Sequence, residues 1–414
     1  MAAMPRALVI GGSIGGLLAG HLLRLIGWEV LLFERAREDL ATRGAGLGIS
    51  EELLQIMRRV GIRLDPSIFV EIHAFSCLDR SGRITHEVKR LQGSSAWRRI
   101  YAPLRAAFPE ECYRAGMNLV RVADEGKHVA AIFSDGTRIE GDLLVAADGI
   151  YSTVRRQLLP EVEPRYAGYV AWRGVIEERD IPPADHALIF PRLCFALPEG
   201  ELALSMPNPG VDEDTRPGHR RMYFIWYRPA DPEKTLPDLC TDATGRHHGA
   251  SIPPPLIRPE LIRALKQDAR VVLPPQMAAV VEQTALPLMQ PIHDLESPRM
   301  VVGRVAILGD AAFVARPHIA SGVTKAALDA QGLADALAAG GDLAAALARW
   351  ERERCEFDRK LVAYARYLGI YLEGQLKPRA QRNADELYRD PEKLMREYAA
   401  PTLLTEPDLK RIAR

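Results

Sequence analysis

The chain begins with short apolar runs separated by an amphipathic stretch. Arg6–Ile10 has the length of a buried strand, and Gly15–Ile26 carries leucine and isoleucine at helical spacing before Gly27. A second apolar run, Glu29–Phe33, follows directly. Because a strand, a helix and a strand in succession form the repeating unit of parallel sheets, this pattern predicts an α/β fold.

Two further apolar runs of the same buried type come much later, at Leu143–Ala147 and Val305–Leu308. Between them, from about Tyr166 to Ser297, the predicted strands become alternating or aromatic and are separated by proline-rich turns. After Val323 the pattern is helical. We therefore expect one nucleotide-binding sheet built from distant pieces, a second β-sheet domain inserted between them, and a C-terminal helical segment.

Composition narrows the classes of partner. The 414 residues include 54 Lys and Arg and 54 Asp and Glu, so no bulk charge favours a nucleic acid or a membrane surface. The five cysteines are scattered and form no C-x-x-C pair, which argues against a disulfide framework and a zinc site and favours a reducing cytoplasm. The apolar segment Leu17–Leu32 is interrupted by polar residues and is not expected to span a membrane. We predict a cytoplasmic protein with no metal site.

The turn after the first strand carries a glycine cluster. Residues 11–16 read GGSIGG, a G-x-G-x-x-G pattern whose middle glycine is Ser13. Gly11 is expected to make the tight turn and Gly16 to allow close packing of helix and strand. A diphosphate is then expected at the helix N-terminus, bound by the Ser13 hydroxyl and beside Ile14.

An acid stands where a ribose contact is expected. Glu34 ends the second strand, 18 residues after Gly16, and its carboxylate is suited to accept hydrogen bonds from ribose hydroxyls. Arg35 is expected to lie over the adenine. These residues do not distinguish NAD from FAD.

Two later motifs follow the other buried runs. Gly141–Leu158 places Asp148-Gly149 after a strand, with Ser152, Val154 and Arg155 in a following helix. Val305–Ala330 places Gly309-Asp310 after a strand, followed by Pro317, Gly322 and a helix with Asp329.

Together the three motifs resemble the fingerprints of the FAD-dependent aromatic hydroxylases, the class A flavoprotein monooxygenases that include p-hydroxybenzoate hydroxylase. The resemblance implies a Rossmann-like FAD-binding domain of the GR2 type at 1–165 and 298–350, an inserted substrate-binding β-sheet domain at 166–297, and a C-terminal helical segment at 351–414. It further implies bound FAD, transient NADH or NADPH, O2, and hydroxylation of an electron-rich aromatic or heteroaromatic ring through a flavin C4a-hydroperoxide.

The strings GGSIGG, YAGYVAWRG, SIPP and GDAAFVARPH are similar to the dihydroxypyridine hydroxylases within that family. This similarity favours a phenol or a hydroxypyridine-like substrate. The resemblance also implies cofactor contacts at Gly11, Ser13, Ile14, Gly16, Glu34, Arg35, Gly46, Arg105, Asp148, Gly149, Asp310, Pro317, Ser321, Gly322 and Val323. Asp148, Ser152 and Arg155 are expected near the point where the FAD diphosphate meets the nicotinamide cofactor.

The chain departs from the family pattern at two places. Many members read P-x-x-G-Q-G-x-N where residues 317–324 read PHIASGVT. Trp97 stands where many members carry an arginine over the FAD, and Arg105 is the candidate replacement. Both departures concern contacts to the flavin cofactor.

An activated ring needs a base or a hydrogen-bond partner near its oxygen. His318 follows Pro317 in the predicted flavin loop, and histidine titrates in the useful range, so it is the candidate catalytic base. The alternative is that His318 faces away from the ring. Candidate substrate contacts lie on inserted strands, where alternation is expected to turn about half of them into packing: Tyr169, Trp172, Arg173, Tyr223 and Trp226.

Three other functions remain open at this point. A flavin-dependent halogenase would share the FAD domain, but the chain has no W-x-W-x-I-P string. A catalytically silent flavoprotein would bind FAD without oxidising NAD(P)H, and an NAD-dependent dehydrogenase would purify colourless. The last 45 residues or so are expected to serve as a cap or as the contact of a homodimer.

Overall fold

The computed structural model describes residues 4–40, 46–65, 68–249 and 251–399. Arg43 and Gly44, from the glycine-rich loop before Gly46, lie outside these ranges. The strands within them are β1 Arg6–Ile10, β2 Glu29–Glu34, β3 Gly46–Gly48, β4 Val70–Leu78, β5 Ile84–Ala96, β6 Tyr113–Ala115, β7 Leu119–Asp124, β8 Val129–Phe133, β9 Arg138–Gly141, β10 Leu143–Ala146, β11 Arg165–Glu177, β12 Arg192–Ala196, β13 Leu202–Asn208, β14 Arg221–Pro229, β15 Leu288–Glu296, β16 Val301–Val302, β17 Val305–Ile307 and β18 Phe313–Val314.

The helices of the same ranges are α1 Ile14–Leu25, α2 Glu51–Arg59, α3 Trp97–Ala107, α4 Thr153–Leu158, α5 Pro183–Ile189, α6 Thr235–Leu239, α7 Pro259–Val272, α8 Pro275–Gln283, α9 Gly322–Ala338, α10 Leu343–Gly374, α11 Ala384–Leu387 and α12 Pro391–Glu397. No helix of the described part is long and apolar enough to cross a membrane.

The first sheet has the order β16-β17-β10-β1-β2-β6. Its strands from β17 to β6 are parallel, and only the edge strand β16 is antiparallel. The predicted assembly from distant pieces is confirmed, because β1 pairs with β10 and β10 pairs with β17. Residues 7–10 of β1 are almost fully buried, as expected for a strand covered on both faces. A three-stranded antiparallel sheet, β7-β8-β9, stands beside it.

The second sheet has the order β18-β15-β11-β14-β13-β12-β4-β5-β3 among the described residues. The prediction confined this sheet to 166–297 and was wrong in that respect, because β3, β4 and β5 belong to it as well. β4 pairs in parallel with β12, and Phe75 of β4 packs with Phe195 of β12 at a ring separation of 5.9 Å. This packing draws an early segment into the later sheet. The remaining domain boundaries stay a prediction.

The two faces of the second sheet carry different neighbours. Trp172 and Trp226 pack on one face in a core with α7 and α8. Tyr169 and Tyr227 lie on the other face, in a core that includes residues of α10 and α12. β11 and β14 are paired residue by residue, so alternate positions of both strands point to the same face.

The predicted helices after residue 323 are confirmed as α9 and α10. α10 runs for 32 residues and continues through Trp350, so the predicted domain boundary at 350 falls inside one helix. Trp350 is 1% exposed and its Nε1–H donates to the carbonyl of Asp329 in α9 at 2.9 Å. This packing explains why the helix does not break at the predicted boundary.

Candidate active site

A cavity of about 340 Å³ lies at the carboxyl ends of β1, β2 and β10. We call it the nucleotide cavity. It contains six of the predicted cofactor residues in its wall: Gly11, Ser13, Glu34, Arg35, Asp148 and Gly149. The carboxyl ends of parallel strands are where open α/β sheets bind ligands, so the sheet brings these residues to the expected edge.

Close backbone contacts explain the glycines of this cavity. Gly11 has a φ of +108°, and a Cβ there would lie 2.3 Å from the carbonyl oxygen of Ala147. A Cβ on Gly16 would lie 1.9 Å from the carbonyl oxygen of Gly11. Gly16 therefore shapes the turn from behind and does not line the cavity. Ile14 is likewise buried in the core, and only its backbone lies at the start of α1.

The first turn of α1 is open to an anion. Ser13 is the N-cap, and its side chain makes no capping hydrogen bond. The first N–H groups of a helix have no carbonyl partner within the helix, and the helix dipole favours negative charge there. The Ser13 hydroxyl and these N–H groups are thus available to a diphosphate.

Glu34 is fixed by two backbone donors. Its Oε2 accepts from the Gly12 N–H at 2.8 Å, and its Oε1 accepts from the Ala36 N–H at 2.8 Å. The carboxylate is 7% exposed and lines the nucleotide cavity beside Arg35. It is positioned as the sequence predicted for a ribose contact.

Asp148, in the second motif, uses only one of its two carboxylate oxygens for hydrogen bonds to described residues. Its Oδ2 accepts from the Thr153 N–H at 2.7 Å and from the Val154 N–H at 3.3 Å. Its Oδ1 is buried without a hydrogen-bond partner among the described residues. Burial raises the pKa of this carboxyl, although the hydrogen bonds act in the opposite direction. A buried acceptor without a partner at the cavity wall suits a ligand with a donor group.

Arg155 lies inside the protein and does not line either cavity. It is fully buried and donates to the carbonyls of Ile150 at 2.6 Å, Val162 at 3.2 Å and Ala311 at 2.9 Å. The last of these bonds joins the second motif to the third. Ser152 caps α4 by accepting from the Arg155 N–H at 2.9 Å. Neither residue lines a cavity, and both brace the turn that carries Asp148.

A larger cavity of about 550 Å³ adjoins the nucleotide cavity, and Tyr151 lines both. We call it the ring cavity. The third motif supplies one side of it through Asp310, Pro317, Ala320, Ser321, Gly322 and Val323. Ala320 has a φ of +51°, which turns the loop sharply before α9 begins at Gly322. The N-terminus of α9 therefore faces this cavity, as predicted.

Asp310 lines the ring cavity, and the residue is exposed there. Desolvation raises the pKa of its carboxyl, and the nearby Lys325 ammonium acts against that rise. Lys325 is 1% exposed and pairs with Asp329 at 3.2 Å and Asp358 at 3.6 Å. The Gly309 N–H donates to Asp329 at 3.0 Å, so this buried charge cluster holds the Gly309-Asp310 turn.

Arg105 is not where its prediction placed it. It pairs with Glu110 at 2.7 Å and lies over the ring of Tyr113 at 3.9 Å, and it lines neither cavity. Trp97, at the start of the same helix α3, lines the nucleotide cavity. Its ring stacks on that of Tyr101 at a centroid separation of 4.6 Å. An indole thus forms part of the wall of the nucleotide cavity. Gly46 lies in β3 next to Gly48, which lines the ring cavity.

Strand alternation divides the predicted substrate residues. Arg173 lines the ring cavity, and its Nη1 donates to the Tyr223 hydroxyl at 3.4 Å. Tyr169 is on the same face but is fully buried behind the cavity wall. The predictions for Trp172 and Trp226 are wrong, because both side chains pack in the core on the opposite face.

The prediction of His318 as a base is also wrong in its geometry. His318 is fully buried, does not line the ring cavity, and its Nε2 shares a 2.7 Å hydrogen bond with the Tyr169 hydroxyl. Burial, followed by the charges of Arg316, Arg389 and Arg173, lowers its pKa to about 3. A neutral imidazole with so low a pKa is a poor proton acceptor.

Several residues of the ring cavity were not among the predicted site residues. β4 and β5 contribute Ile72, Gln92 and Ser94. The end of the described chain contributes Tyr398 and Ala399. Assigning β4 and β5 to this sheet would have found the first group, but nothing local marks residues 398 and 399.

Comparison with known proteins agrees with this arrangement. A family model described as "FAD binding domain-like" matches residues 166–294. The chain is 31% identical over 352 residues to 2,6-dihydroxypyridine 3-monooxygenase of Paenarthrobacter nicotinovorans, covering 85% of this chain and 87% of that protein. The chain belongs to the FAD-dependent aromatic hydroxylases.

Solved structures give the same result. The structure of 2,6-dihydroxypyridine-3-hydroxylase from Arthrobacter nicotinovorans has a TM-score of 0.84 at 28% identity, covering 94% of this chain and 97% of that one. Klebsiella pneumoniae HpxO in complex with FAD and uric acid has a TM-score of 0.74 at 25% identity, covering 99% and 97%. The predicted fold and the predicted similarity to the dihydroxypyridine hydroxylases are confirmed.

This chain is thus an FAD-dependent aromatic monooxygenase. The residues present fit FAD. The turn leaves no room for a Cβ at Gly11 or Gly16, Ser13 makes no capping hydrogen bond, and the two cavities adjoin to accommodate an extended cofactor.

Proposed function

We propose that this hydroxylase acts on a hydroxylated azine or phenol whose ring oxygen is bound as an anion by Arg173 in the ring cavity. The observation that carries the proposal is a guanidinium facing a cavity without a carboxylate partner. Arg173 lines the ring cavity, and no ion pair joins it to a described carboxylate. Its Nε is buried without a hydrogen-bond partner among the described residues.

The surroundings of Arg173 favour a negative ligand. Its pKa is set by desolvation, which lowers it, and by the hydroxyls of Tyr223, Tyr227 and Tyr398, which together raise it. The wall of the ring cavity around Arg173 is apolar. It is formed by Ile225, which pairs with Arg173 on the adjacent strand, and by Leu204 and Met206. A buried charge is expensive unless it is paired, so a ligand oxygen that carries negative charge would be bound strongly here.

The names of two similar proteins support the substrate class. The similar proteins include a monooxygenase of 2,6-dihydroxypyridine and one of 6-hydroxynicotinate, both acting on hydroxylated azines. An ionised oxygen on such a ring carries negative charge, which matches a cavity that offers a cation. His318 does not line the ring cavity, so we propose that Arg173 favours the ionised form of the ring oxygen.

We propose the following division of the cofactor residues. Gly11, Ser13, Glu34, Arg35, Asp148 and Gly149 would hold the adenosine diphosphate part of FAD, with Gly16 and the Ile14 backbone shaping the turn. Asp310, Pro317, Ser321, Gly322, Val323 and the Gly46 strand would hold the ribityl and flavin parts. When bound, FAD supplies hydride acceptance from NAD(P)H and the activation of O2. The apolar wall of the ring cavity would exclude water from the reacting centre.

Two further points are proposals with direct tests. The cytoplasmic location rests on cysteines that are all free: Cys77, Cys112, Cys194, Cys240 and Cys355. A homodimer is tested by the molar mass of the holoprotein in solution.

The experiment replaces Arg173 by Met and by Lys, with Arg179→Met as the control because Arg179 is exposed. With 2,6-dihydroxypyridine as the probe, we expect the KM of Arg173→Met to rise about 10- to 150-fold, since a hydrogen bond to a charged group contributes about 1.5–3 kcal/mol. FAD affinity should not change. The KM of Arg173→Lys should lie between those of the wild type and Arg173→Met. A normal KM in Arg173→Met, or an equal KM for an analogue without a hydroxyl, would contradict the proposal.

A further inference from the structure

The last described segment, Pro391–Ala399, closes one side of the ring cavity. It consists of α12 followed by Tyr398 and Ala399, and both of these residues are 4% exposed and line the cavity. Leu394 and Met395 of α12 pack in the core on the cavity face of the second sheet. The segment is therefore part of the cavity wall although it begins about 60 residues after the third motif.

Arg90 of β5 holds the end of this segment. Its Nη1 donates to the carbonyl of Tyr398 at 3.0 Å, and its Nη2 donates to the carbonyl of Ala399. The guanidinium lies over the ring of Phe75 at 4.6 Å. One planar group thus fixes two successive carbonyls, which a single-point donor such as lysine does not do.

The segment is also tied to the flavin loop and to the sheet. The Ala399 N–H donates to the carbonyl of His318 at 2.8 Å. The Tyr398 hydroxyl donates to the Tyr227 hydroxyl at 3.3 Å, and the Tyr398 ring meets the rings of Phe195 at 5.2 Å and His318 at 5.7 Å. These contacts to the flavin loop and to the sheet define a positioned wall.

We propose that Tyr398 is a specificity-determining residue that limits the size of the substrate in the ring cavity, and that Arg90 is the positioning residue that holds Tyr398 in place. The proposal rests on the proposed function in one respect, namely that the ring cavity holds the substrate. It adds a wall that comes from neither the FAD motifs nor the central strands of the second sheet.

The first measurement follows hydrogen exchange of residues 391–399 in the FAD-loaded protein without substrate. We compare the wild type, Arg90→Gln, Arg90→Lys and the control Lys89→Gln, because Lys89 is the exposed neighbour of Arg90 on β5. We expect at least tenfold faster exchange in Arg90→Gln and no change in Lys89→Gln. Arg90→Lys should also exchange faster, because lysine lacks the second fixed donor. Unchanged exchange in Arg90→Gln would overturn the role of Arg90.

The second measurement tests size selection with Tyr398→Ala and Tyr398→Phe. Dissociation constants for 2,6-dihydroxypyridine and for the two-ring compound 2,4-dihydroxyquinoline are read from the perturbation of flavin absorption. We expect the ratio of the two constants to shift at least tenfold towards the two-ring compound in Tyr398→Ala and to change little in Tyr398→Phe. The amount of hydroxylated product formed per NAD(P)H oxidised should fall in Tyr398→Ala, because the opened wall admits water.

The outcomes separate this proposal from the proposed function. An unchanged ratio in Tyr398→Ala overturns size selection, whereas normal binding in Arg173→Met overturns the anion site and leaves Tyr398 unaffected. If neither compound perturbs the flavin of the wild type, the ring cavity is not the substrate site and size selection is overturned with it. The exchange measurement still decides the role of Arg90 in that case. If Arg90→Gln does not fold, Arg90→Lys carries that part of the test.

Discussion

The nucleotide cavity and the ring cavity meet at Tyr151, but their walls come from different kinds of sequence. The nucleotide cavity is formed largely by turns that directly follow strands of one parallel sheet, as at Gly11 and Asp148. The ring cavity collects side chains from β4, β5, β11, the third motif and residues 398 and 399. Its wall therefore depends on which face of each strand is presented and on contacts between distant segments.

This difference concerns the kind of constraint at each site. In the nucleotide cavity the backbone itself is close-packed, as the 1.9 Å approach of a Gly16 Cβ to a carbonyl oxygen shows. In the ring cavity the constraint is on side chains, as the separate faces of Tyr223 and Trp226 show. Substitutions should therefore affect the binding of FAD on one side and the binding or orientation of substrate on the other.

The largest effect is expected from Gly16→Ala in the nucleotide cavity. Its Cβ would meet the Gly11 carbonyl, and relief requires moving the turn that faces the diphosphate. Overpacking of this kind costs about 1–3 kcal/mol, so FAD binding should weaken up to about 100-fold. Titration of the apoprotein by flavin fluorescence measures it. The comparison variant is Gly15→Ala, whose Cβ would lie 3.2 Å from that of Ala326 and should weaken binding less. Equal affinities in both variants would contradict the backbone constraint.

The next effect concerns the pH dependence of stability through His318. Its pKa in the folded protein is lowered from 6.5 to about 3, so between these values the unfolded chain binds a proton that the folded chain does not. Stability is therefore lost as the pH falls through 6.5, by about 2 kcal/mol at pH 5. His318→Gln should lack this loss. Urea denaturation at pH 7 and pH 5 tests it, and an identical pH dependence in both proteins would refute the assignment.

A smaller effect is expected from the two faces of β14. Trp226→Phe removes the 2.7 Å hydrogen bond from Nε1 to Glu201 and should lower the free energy of unfolding by about 1–2 kcal/mol, with the KM for substrate unchanged. Tyr223→Phe removes the hydroxyl that contacts Arg173, and its KM should rise severalfold. Steady-state kinetics and thermal denaturation of both variants test this, and a raised KM in Trp226→Phe would break the division between the faces.

The smallest effect is expected from Ser13→Ala. The Ser13 side chain makes no capping hydrogen bond and lines the nucleotide cavity, so its removal deletes one contact to the diphosphate. A single neutral hydrogen bond contributes about 0.5–1.5 kcal/mol. Its loss should raise the dissociation constant of FAD about three- to tenfold. Ser134→Ala is a suitable control, because Ser134 is exposed. Unaltered FAD affinity in Ser13→Ala would show that the backbone N–H groups suffice.

The same contrast explains what could be predicted from the sequence. The strand, the turn and the acid of the first motif act locally, so Gly11, Ser13 and Glu34 were found at their places in the structure. The parallel pairing of β4 with β12 joins Phe75 to Leu193 without any hairpin signal, and the prediction missed it. The burial of His318 depends on Tyr169 and Tyr227, which the chain brings together only in the folded sheet.

The pairing of strands also bears on how the chain reaches its native state during synthesis. β1 lies between β2 and β10, and β10 needs β17, which ends at residue 307. Meanwhile β4 must wait for β12 before its parallel ladder can form. Neither sheet can be completed while the first half of the chain alone has left the ribosome. We therefore expect slow folding with exposed strand edges in nascent chains, and a dependence of soluble yield on temperature and on chaperones that hold early strands.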